Sequence, residues 1–449
     1  MKLPQKPPKV GDILSTAFEN KGPIHANKVF LEHPGPAPGG KYLHWDKLRY
    51  HEPPKGLSPE EWWAGIKLSR QSLYRELPFT DTDGKHFQYA PIDLIYEQLH
   101  EIDVNAGGAF QAGAALNSAG IKDALYMKSL LEEAITSSQL EGAATTRMVA
   151  KDMLMSGRSP RNHGEQMIQN NYHAMAFIRE MGQTPISKEI IFELQSILTS
   201  GTLEDPADQG HFRRPGDPVK VIDNIDFKVL HDPPGAEELE ERVQLLCDFG
   251  NSVKIKPFIH PVLKAIILHF QLAYDHPFVD GNGRTARALF YWAMAKNNYW
   301  LCEYLSISSI LRKASAKYGR AFLYTETDDN DLTYFILYHL RVIRQAIDQL
   351  HQNLEKESQK LRRAENLLRD SKTVHDLNNR QLAILEHALR HPHQRYTFKS
   401  HQRANKLSYQ TARTDLLGLA QLKLLDTSRQ GRAFVFISPN DLHKRIKRL

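Results

Sequence analysis

Twelve consecutive residues carry the strongest signal in this chain: His276-Pro277-Phe278-Val279-Asp280-Gly281-Asn282-Gly283-Arg284-Thr285-Ala286-Arg287. Apolar residues recur at helical spacing after them, so we expect a helix that begins just after Gly283. The glycines would then lie at a helix N-terminus, where unpaired backbone N–H groups and the positive end of the helix dipole attract an anion. The pattern indicates a phosphate site.

The side chains of this stretch also suit a phosphate. Arg284 and Arg287 are three residues apart, so both should project from one side of the first turn toward phosphate oxygens. Asp280 carries the hard oxygen that Mg²⁺ prefers when it bridges phosphates. His276 titrates near neutrality and can remove a proton from a hydroxyl, and Asn282 can add its side-chain amide to the glycine turn. Singly, each residue is more often a turn or a solvated charge, but together they favour phosphate chemistry.

In this order the stretch resembles the signature of the Fic (Fido) family. That signature has a His, a Phe two residues later, an acidic residue, Gly-Asn-Gly-Arg and a further Arg. Every specified position is filled here, by His276, Phe278, Asp280, Gly281, Asn282, Gly283, Arg284 and Arg287. The resemblance implies a mainly α fold, with a Fic helical core and a small β-hairpin flap. It also implies transfer of AMP from ATP to a Tyr, Thr or Ser hydroxyl of a protein, with pyrophosphate leaving.

The resemblance further implies a role for each residue. His276 would be the catalytic base, and Asp280 would hold Mg²⁺ against the α and β phosphates. ATP would be bound by Gly281, Asn282, Gly283, Arg284, Thr285, Ala286 and Arg287. Within this set the glycine turn would stabilise charge on the α phosphate, and the two arginines would bind the β and γ phosphates. Phe278 is interpreted as a core anchor of the loop, and Tyr318 would lie on the adenine side by its family position.

A second segment, at about residues 122–142, has the pattern of an amphipathic helix that Gly142 would cap. Ser137 and Glu141 are four residues apart and share a face of that helix. Taken alone, Glu141 would be expected to point into water. A Ser four residues before Glu-Gly also resembles the self-inhibition motif of many Fic proteins, which implies that Glu141 pairs with Arg287 and removes it from the γ phosphate.

Length and composition indicate how many domains the chain has and which class of protein it belongs to. At 449 residues the chain exceeds what one hydrophobic core serves, so roughly two or three domains are expected. No apolar run is long enough to span a membrane, and the N-terminal residues lack a secretory pattern. Cys247 and Cys302 show no paired spacing. We therefore expect a cytoplasmic protein without membrane contact.

Four regions are predicted along the chain. They are residues 1–90, an N-terminal arm and helical region; 91–345, the Fic core with its flap at about 218–231; 346–374, a helical linker; and 375–449, a small domain. Residues 1–57 are expected to be extended and irregular before a well-capped helix at Ser58. The flap resembles a family element that adds a strand of the target protein. The linker has a modest heptad seam, so packing on its own domain and a homodimer contact both stay open.

The small domain resembles a winged helix-turn-helix. Three helical patterns precede a hairpin around Arg429-Gln430-Gly431-Arg432, and residues 394–449 carry twelve basic against three acidic side chains, a net charge of +9. Tyr409, Gln410 and Arg413 would then face the major groove of DNA. Protein contact or dimerisation is the equal alternative.

Three functional classes follow. The first is a protein adenylyltransferase that Glu141 holds inactive. The second is a related Fic chemistry, either removal of AMP by a water that Glu141 orients or transfer of another phosphate-containing group. The third is a DNA-binding regulator in which the winged helix carries the main activity and the Fic core senses nucleotide.

Overall fold

The computed structural model describes residues 2–31, 35–106, 119–223, 227–252, 256–369, 377–390, 394–405, 407–430 and 433–448. The chain divides into two compact units, Met1–Asp348 and Gln349–Leu449. Within the described ranges helices predominate, and the strands form three small antiparallel sheets. The predicted mainly α class is confirmed. No helix in these ranges is long and apolar enough to cross a bilayer.

The N-terminal region is helical, so the expectation of an irregular arm over residues 1–57 was wrong. The helices are α1 (Val10–Leu31), α2 (Trp45–Leu48) and α3 (Pro59–Gln71). Val29, Trp45 and Trp63 are buried in one apolar cluster that these helices share. A kink at Gly22, followed by Pro23, interrupts the hydrophobic pattern of α1. Tertiary packing therefore stabilises a helix that the local sequence does not predict.

Helix α3 begins as its sequence predicts. The Ser58 hydroxyl accepts a hydrogen bond from the Glu61 backbone N–H, and the Glu61 carboxylate accepts one from the Ser58 N–H. Pro59 occupies the first helical position. A two-stranded hairpin follows, β1 (Arg75–Thr80) with β2 (His86–Tyr89), and then α4 (Asp93–Ala106).

The helices that follow include one buried pair, and the last of them extends past residue 348 into the second unit. They are α5 (Ala119–Leu140), α6 (Arg147–Ser156), α7 (His163–Met181), α8 (Lys188–Thr199), α9 (Leu239–Asn251), α10 (Pro261–Asp275), α11 (Asn282–Lys296), α12 (Ile307–Lys313), α13 (Ser315–Thr327) and α14 (Thr333–Arg369). Helices α10 and α11 pack against each other and are buried along nearly their whole length. Helices α5, α7 and α8 contact α11, and this packing positions the loop between α10 and α11.

The predicted flap is a short antiparallel hairpin of β3 (Val221–Ile222) and β4 (Val229–His231). Asn224 of its predicted turn lies outside the described residues. Ile222, Phe227 and Val229 are exposed apolar side chains on this hairpin.

The long helix predicted from near Leu332 to about Ser371 corresponds to α14, and Ser371 lies outside the described residues. Leu340 and Ile347 of its heptad seam are buried within the single chain. This part of the seam is therefore not a free surface for a second copy. The linker boundaries and a homodimer stay predictions.

The second unit contains α15 (Asn379–Arg390), β5 (Arg395–Tyr396), α16 (Phe398–Asn405), α17 (Tyr409–Gln421), β6 (Asp426–Gln430), β7 (Ala433–Ile437) and α18 (Leu442–Arg448). Its sheet has the order β5-β7-β6. Buried Asp415 accepts hydrogen bonds from Arg380 and Asn378 and contacts His401. Three helices and a hairpin occur in the predicted order, while Gly431 and Arg432 lie outside the described residues. The winged-helix assignment and DNA binding stay predictions.

Candidate active site

The loop between α10 and α11 is shaped by two residues in the left-handed region. His276 ends α10 with φ 48°, and Gly281 precedes α11 with φ 87°. The first intrahelical bond of α11 runs from the Thr285 N–H to the Gly281 carbonyl at 2.8 Å. The helix thus begins at Asn282, earlier than the predicted start after Gly283, because Gly281 supplies the left-handed residue at which the helix starts. The glycine turn lies at a helix N-terminus as expected.

Asn282 closes the loop with its side chain. Its Oδ1 accepts from the Phe278 N–H at 2.9 Å, and its Nδ2 donates to the Phe278 carbonyl at 2.7 Å. Both polar atoms of the amide thus make hydrogen bonds within the loop, and the binding of ATP by Asn282 stays a prediction. Phe278 is fully buried beside Phe192 and Phe212, which agrees with its interpretation as an anchor.

His276 is held with one ring nitrogen available. Its Nδ1 lies 3.0 Å from the Ala273 carbonyl, which can only accept, so Nδ1 carries the proton and Nε2 is left as an acceptor. Burial lowers the pKa of His276 below its ordinary value, and this favours the neutral ring. Arg213 fixes the adjacent backbone by donating to the carbonyls of His276 and Pro277, both at 2.9 Å. The geometry suits a general base.

Asp280 and Arg284 form an ion pair of 2.9 Å in the first turn of α11. Buried Arg284 also donates to the Leu198 carbonyl at 2.8 Å, so protein acceptors hold its guanidinium in this conformation. Its contact with phosphate stays a prediction. The Asp280 side chain is 48% exposed, and its Oδ1 accepts from the Gly281 N–H at 2.6 Å.

The residues around Asp280 fit a Mg²⁺ ion that is held partly by phosphates. Among the described residues, no three His, Cys, Asp or Glu side chains form a ready-made metal cluster. Mg²⁺ is commonly bound by one or two carboxylates, with substrate phosphates and water supplying the other oxygens. The half-exposed carboxylate of Asp280 matches that requirement.

Glu141 and Ser137 of the upstream segment meet Arg287. The Glu141 Oε1 accepts from Arg287 Nη2 at 2.9 Å, the Ser137 hydroxyl accepts from Arg287 Nε at 2.8 Å, and the Ser137 carbonyl accepts from Nη2 at 3.0 Å. Arg287 is buried; burial opposes its charge, but Glu141 raises the pKa of Arg287 above the usual value. The expectation from Glu141 alone, a side chain in water, was wrong because Arg287 on α11 receives it.

Gly283 leaves room for the Glu141 carboxylate. A Cβ added to Gly283 would lie 2.2 Å from Glu141 Oε1 and 3.1 Å from Arg287 Nη1. The carboxylate therefore rests against the first turn of α11, where the helix dipole and unpaired N–H groups attract negative charge. A side-chain anion occupies the place that the sequence assigns to phosphate.

Comparison with known proteins identifies the core of this arrangement. Residues 185–294 match the model of the Fic/DOC family. The chain carries a Fic/DOC domain. The matched range includes the whole loop with His276 and Arg287, while Glu141 lies upstream of it.

Relatives with the same domain are named for one activity. The protein adenylyltransferase Fic of Nematostella vectensis is 28% identical over 207 residues, which cover 44% of this chain and 44% of the relative. The protein of the same name from Drosophila willistoni is 29% identical over 191 residues, or 42% of this chain and 35% of the relative. This chain therefore matches less than half of the length of these curated relatives.

A solved structure shares the fold. A crystal structure of a Fic family protein from Desulfovibrio desulfuricans G20 covers 80% of this chain and 98% of that chain, with a TM-score of 0.51 and 17% identity. The similarity extends well beyond the 185–294 range of the Fic domain.

Tyr318 of α13 is half-buried against α10. Its hydroxyl is 2.9 Å from His269 Nε2, and burial raises its pKa above the usual value. His269 is fully buried on α10, and burial lowers its pKa, as expected for a structural histidine. The adenine-side role of Tyr318 stays a prediction.

His231 is a site residue that the sequence interpretation missed. It is buried at the end of β4, with Nδ1 2.8 Å from Glu326 and Nε2 2.7 Å from the Tyr274 carbonyl. Burial opposes its charge, but the Glu326 carboxylate raises the pKa of His231 overall. The resulting cation joins the flap to α10 just before His276. No local signal reveals this contact, because Glu326 is 95 residues away.

Proposed function

We propose that this protein is an adenylyltransferase that transfers AMP from ATP to a hydroxyl side chain of another protein. The observation that carries the proposal is the pairing, in one short loop, of a proton-accepting His276 Nε2 with the N-terminus of α11. The names of the relatives support the same activity.

The chemistry follows from the positions of these groups. His276 Nε2 takes the proton of the target hydroxyl while its oxygen attacks the α phosphorus. The bond between that phosphorus and the oxygen bridging to the β phosphate breaks, and pyrophosphate leaves with the electron pair. Backbone N–H groups at the start of α11 stabilise the charge on the α phosphate. Asp280 would hold Mg²⁺, which supplies positive charge to the phosphate oxygens when bound.

The flap would present the target. Ile222, Phe227 and Val229 expose apolar surface on a two-stranded sheet whose edges are short. An extended target segment can pair with such an edge through its backbone and place a hydroxyl near His276.

Glu141 would hold the enzyme inactive. Its carboxylate neutralises Arg287 and lies against Gly283, so a γ phosphate arriving there meets a negative charge instead of a free guanidinium. ATP would then bind without the alignment that in-line attack requires.

The activity is tested with two isotopic forms of ATP. Full-length protein with Mg²⁺ and a cell lysate should transfer label to protein from α-labelled ATP and not from γ-labelled ATP, because AMP retains only the α phosphate. The Glu141→Gly form gives the stronger signal. Transfer of label from the γ position alone would show a kinase-type reaction and reject the proposal.

The pH dependence of this reaction follows from the burial of His276. Because the neutral ring is the base and burial lowers the pKa of His276, activity should persist below the ordinary histidine value of about 6.5 and fall only at lower pH. The measurement is kcat/KM against pH for the Glu141→Gly form. An acidic limb centred above pH 7 would contradict this assignment.

Ser137→Ala should activate the enzyme partially. The hydroxyl that accepts from Arg287 Nε is lost, while Glu141 and the Ser137 carbonyl remain. The loss of about 1 kcal/mol from the inhibited state predicts a rise of roughly fivefold in AMP transfer. Ser129→Ala is the matched control on the same helix, since the Ser129 hydroxyl has no partner among the described residues. Equal rates for the two variants would show that Ser137 has no inhibitory part.

Removal of AMP is the second candidate. The Glu141 side chain is 32% exposed at the site, so water can reach its carboxylate and be oriented for attack on a modified hydroxyl. Incubation with a protein that already carries AMP, without ATP, separates the two directions. Release of AMP that depends on Glu141 would favour removal.

A further inference from the structure

A cavity separate from the Fic loop lies within Met1–Asp348. No residue of the 276–287 loop lines it. Its volume is about 760 Å³, and its walls are the segment Gly40–Lys47, helix α4, helix α13 and the first half of α14. This size falls in the range of small-molecule sites in proteins, which are commonly about 300–1,000 Å³.

The cavity is strongly basic. Six cationic side chains line it, against the one carboxylate of Glu97: Lys41, Lys47, Lys317, Arg320, Arg341 and Arg344. Arg344 pairs with Glu101, whereas the other five form no ion pair with any residue that the structure describes. Concentrated like charge raises the free energy of the folded state and attracts anions. The cavity is therefore suited to a ligand with several negative charges.

The cations are arranged in two pairs. Lys317 and Arg320 are three residues apart on α13, and Arg341 and Arg344 are three apart on α14. Residues at this spacing share a helix face, so each helix presents two donors to the same space. Arginine and lysine in such groups bind phosphate oxygens through charge-assisted hydrogen bonds.

Aromatic rings complete the walls. Tyr338 is partly exposed, and Tyr324 is stacked on His44 with a centroid distance of 4.4 Å. Flat polarisable surfaces of this kind hold the rings of bases. A space of about 760 Å³ accommodates a single small molecule.

We propose that this cavity binds a nucleoside phosphate with two or more phosphate groups. The paired cations of α13 and α14 take the phosphates, and the rings of Tyr324 and Tyr338 pack against the base. This site is separate from the Fic loop, and the proposal stands whether or not the protein transfers AMP.

The first test measures binding of ADP, without added metal, to the full chain by isothermal titration calorimetry. Lys317→Glu with Arg320→Glu should weaken binding at this site at least about tenfold, since two charge-assisted contacts are reversed. Arg312→Glu with Lys313→Glu is the matched control, because these exposed neighbours change the net charge equally but do not line the cavity. Thermal melting checks that both double variants fold.

The location is tested with 8-azido-ADP and mass spectrometry. Label is expected on peptides of α4, α13 or α14 and should disappear in the Lys317→Glu/Arg320→Glu form. Label confined to the 276–287 loop would overturn the proposal, whatever the state of the adenylyltransferase.

Tyr338→Leu tests the part played by the base. It removes an aromatic wall of the cavity and keeps an apolar side chain, so ADP should bind several-fold more weakly while inorganic tripolyphosphate is unaffected. If ADP and tripolyphosphate respond equally, the site takes a polyanion without a base and the nucleoside assignment is wrong. A single-stranded oligonucleotide that binds this face more tightly than ADP would also overturn it.

Discussion

Glu141→Gly is expected to raise the rate of AMP transfer by about 10- to 100-fold. The substitution removes the carboxylate from its 2.9 Å contact with Arg287 and from its place against Gly283. A hydrogen bond between charged groups contributes about 1.5–3 kcal/mol. The substitution should destabilise the inhibited conformation, relative to the active one, by this free energy. The freed guanidinium can then bind the γ phosphate. The readout is incorporation of label from α-labelled ATP into protein.

Two further variants separate this effect from a loosened helix. Ala144→Gly introduces similar flexibility at an exposed position of the segment after α5 and leaves Glu141 and Arg287 in place, so it should stay close to wild type. Glu141→Gln keeps the shape and removes the charge, and an intermediate rate is expected. Equal rates for wild type and Glu141→Gly would remove the regulatory proposal while leaving the catalytic one standing.

His276→Ala in the Glu141→Gly background is expected to lower AMP transfer by about 10²- to 10⁴-fold, the usual contribution of a positioned general base. The ring nitrogen that faces away from Ala273 is the proton acceptor in our proposal, and no other side chain is proposed for that role. Binding of ATP should change little, because our proposal places the phosphates at the backbone N–H groups of α11 and at Arg287. The measurement is kcat and KM for ATP in the double variant.

His276→Asn provides the control for folding. His276 has φ 48°, and asparagine tolerates this left-handed conformation better than alanine does, so the loop should keep its shape. Both variants should be inactive, whereas His173→Ala, at an exposed position on α7, should be as active as its parent. Substantial activity in His276→Asn would reject His276 as the base.

The sequence predicted the location of the site because its determinants are local. The His276–Arg287 stretch contains its own left-handed glycine, its loop-closing asparagine and the start of its helix within a few residues. The Ser58 capping box and the buried helix α10 were predictable for the same reason, since each is specified by neighbours in the chain.

Contacts between distant segments were decided only by the tertiary structure. Arg284 is turned to Leu198 and Asp280 by the packing of α8 on α11, and His231 is charged by Glu326, a residue remote in sequence. The helical character of α1 likewise depends on burial against the tryptophans of α2 and α3.

By itself, then, the chain's order of residues determined the mainly helical class, the glycine turn at the start of α11 and the histidine that precedes it. Folding decided what fills that turn. A carboxylate in the last turn of a helix has no local partner and, from sequence, belongs in water; only the approach of α5 to α11 brings Glu141 onto Arg287, 146 residues away. Neighbouring residues determine the local geometry of the backbone, whereas the pairing of distant charges depends on which surfaces the whole fold brings together.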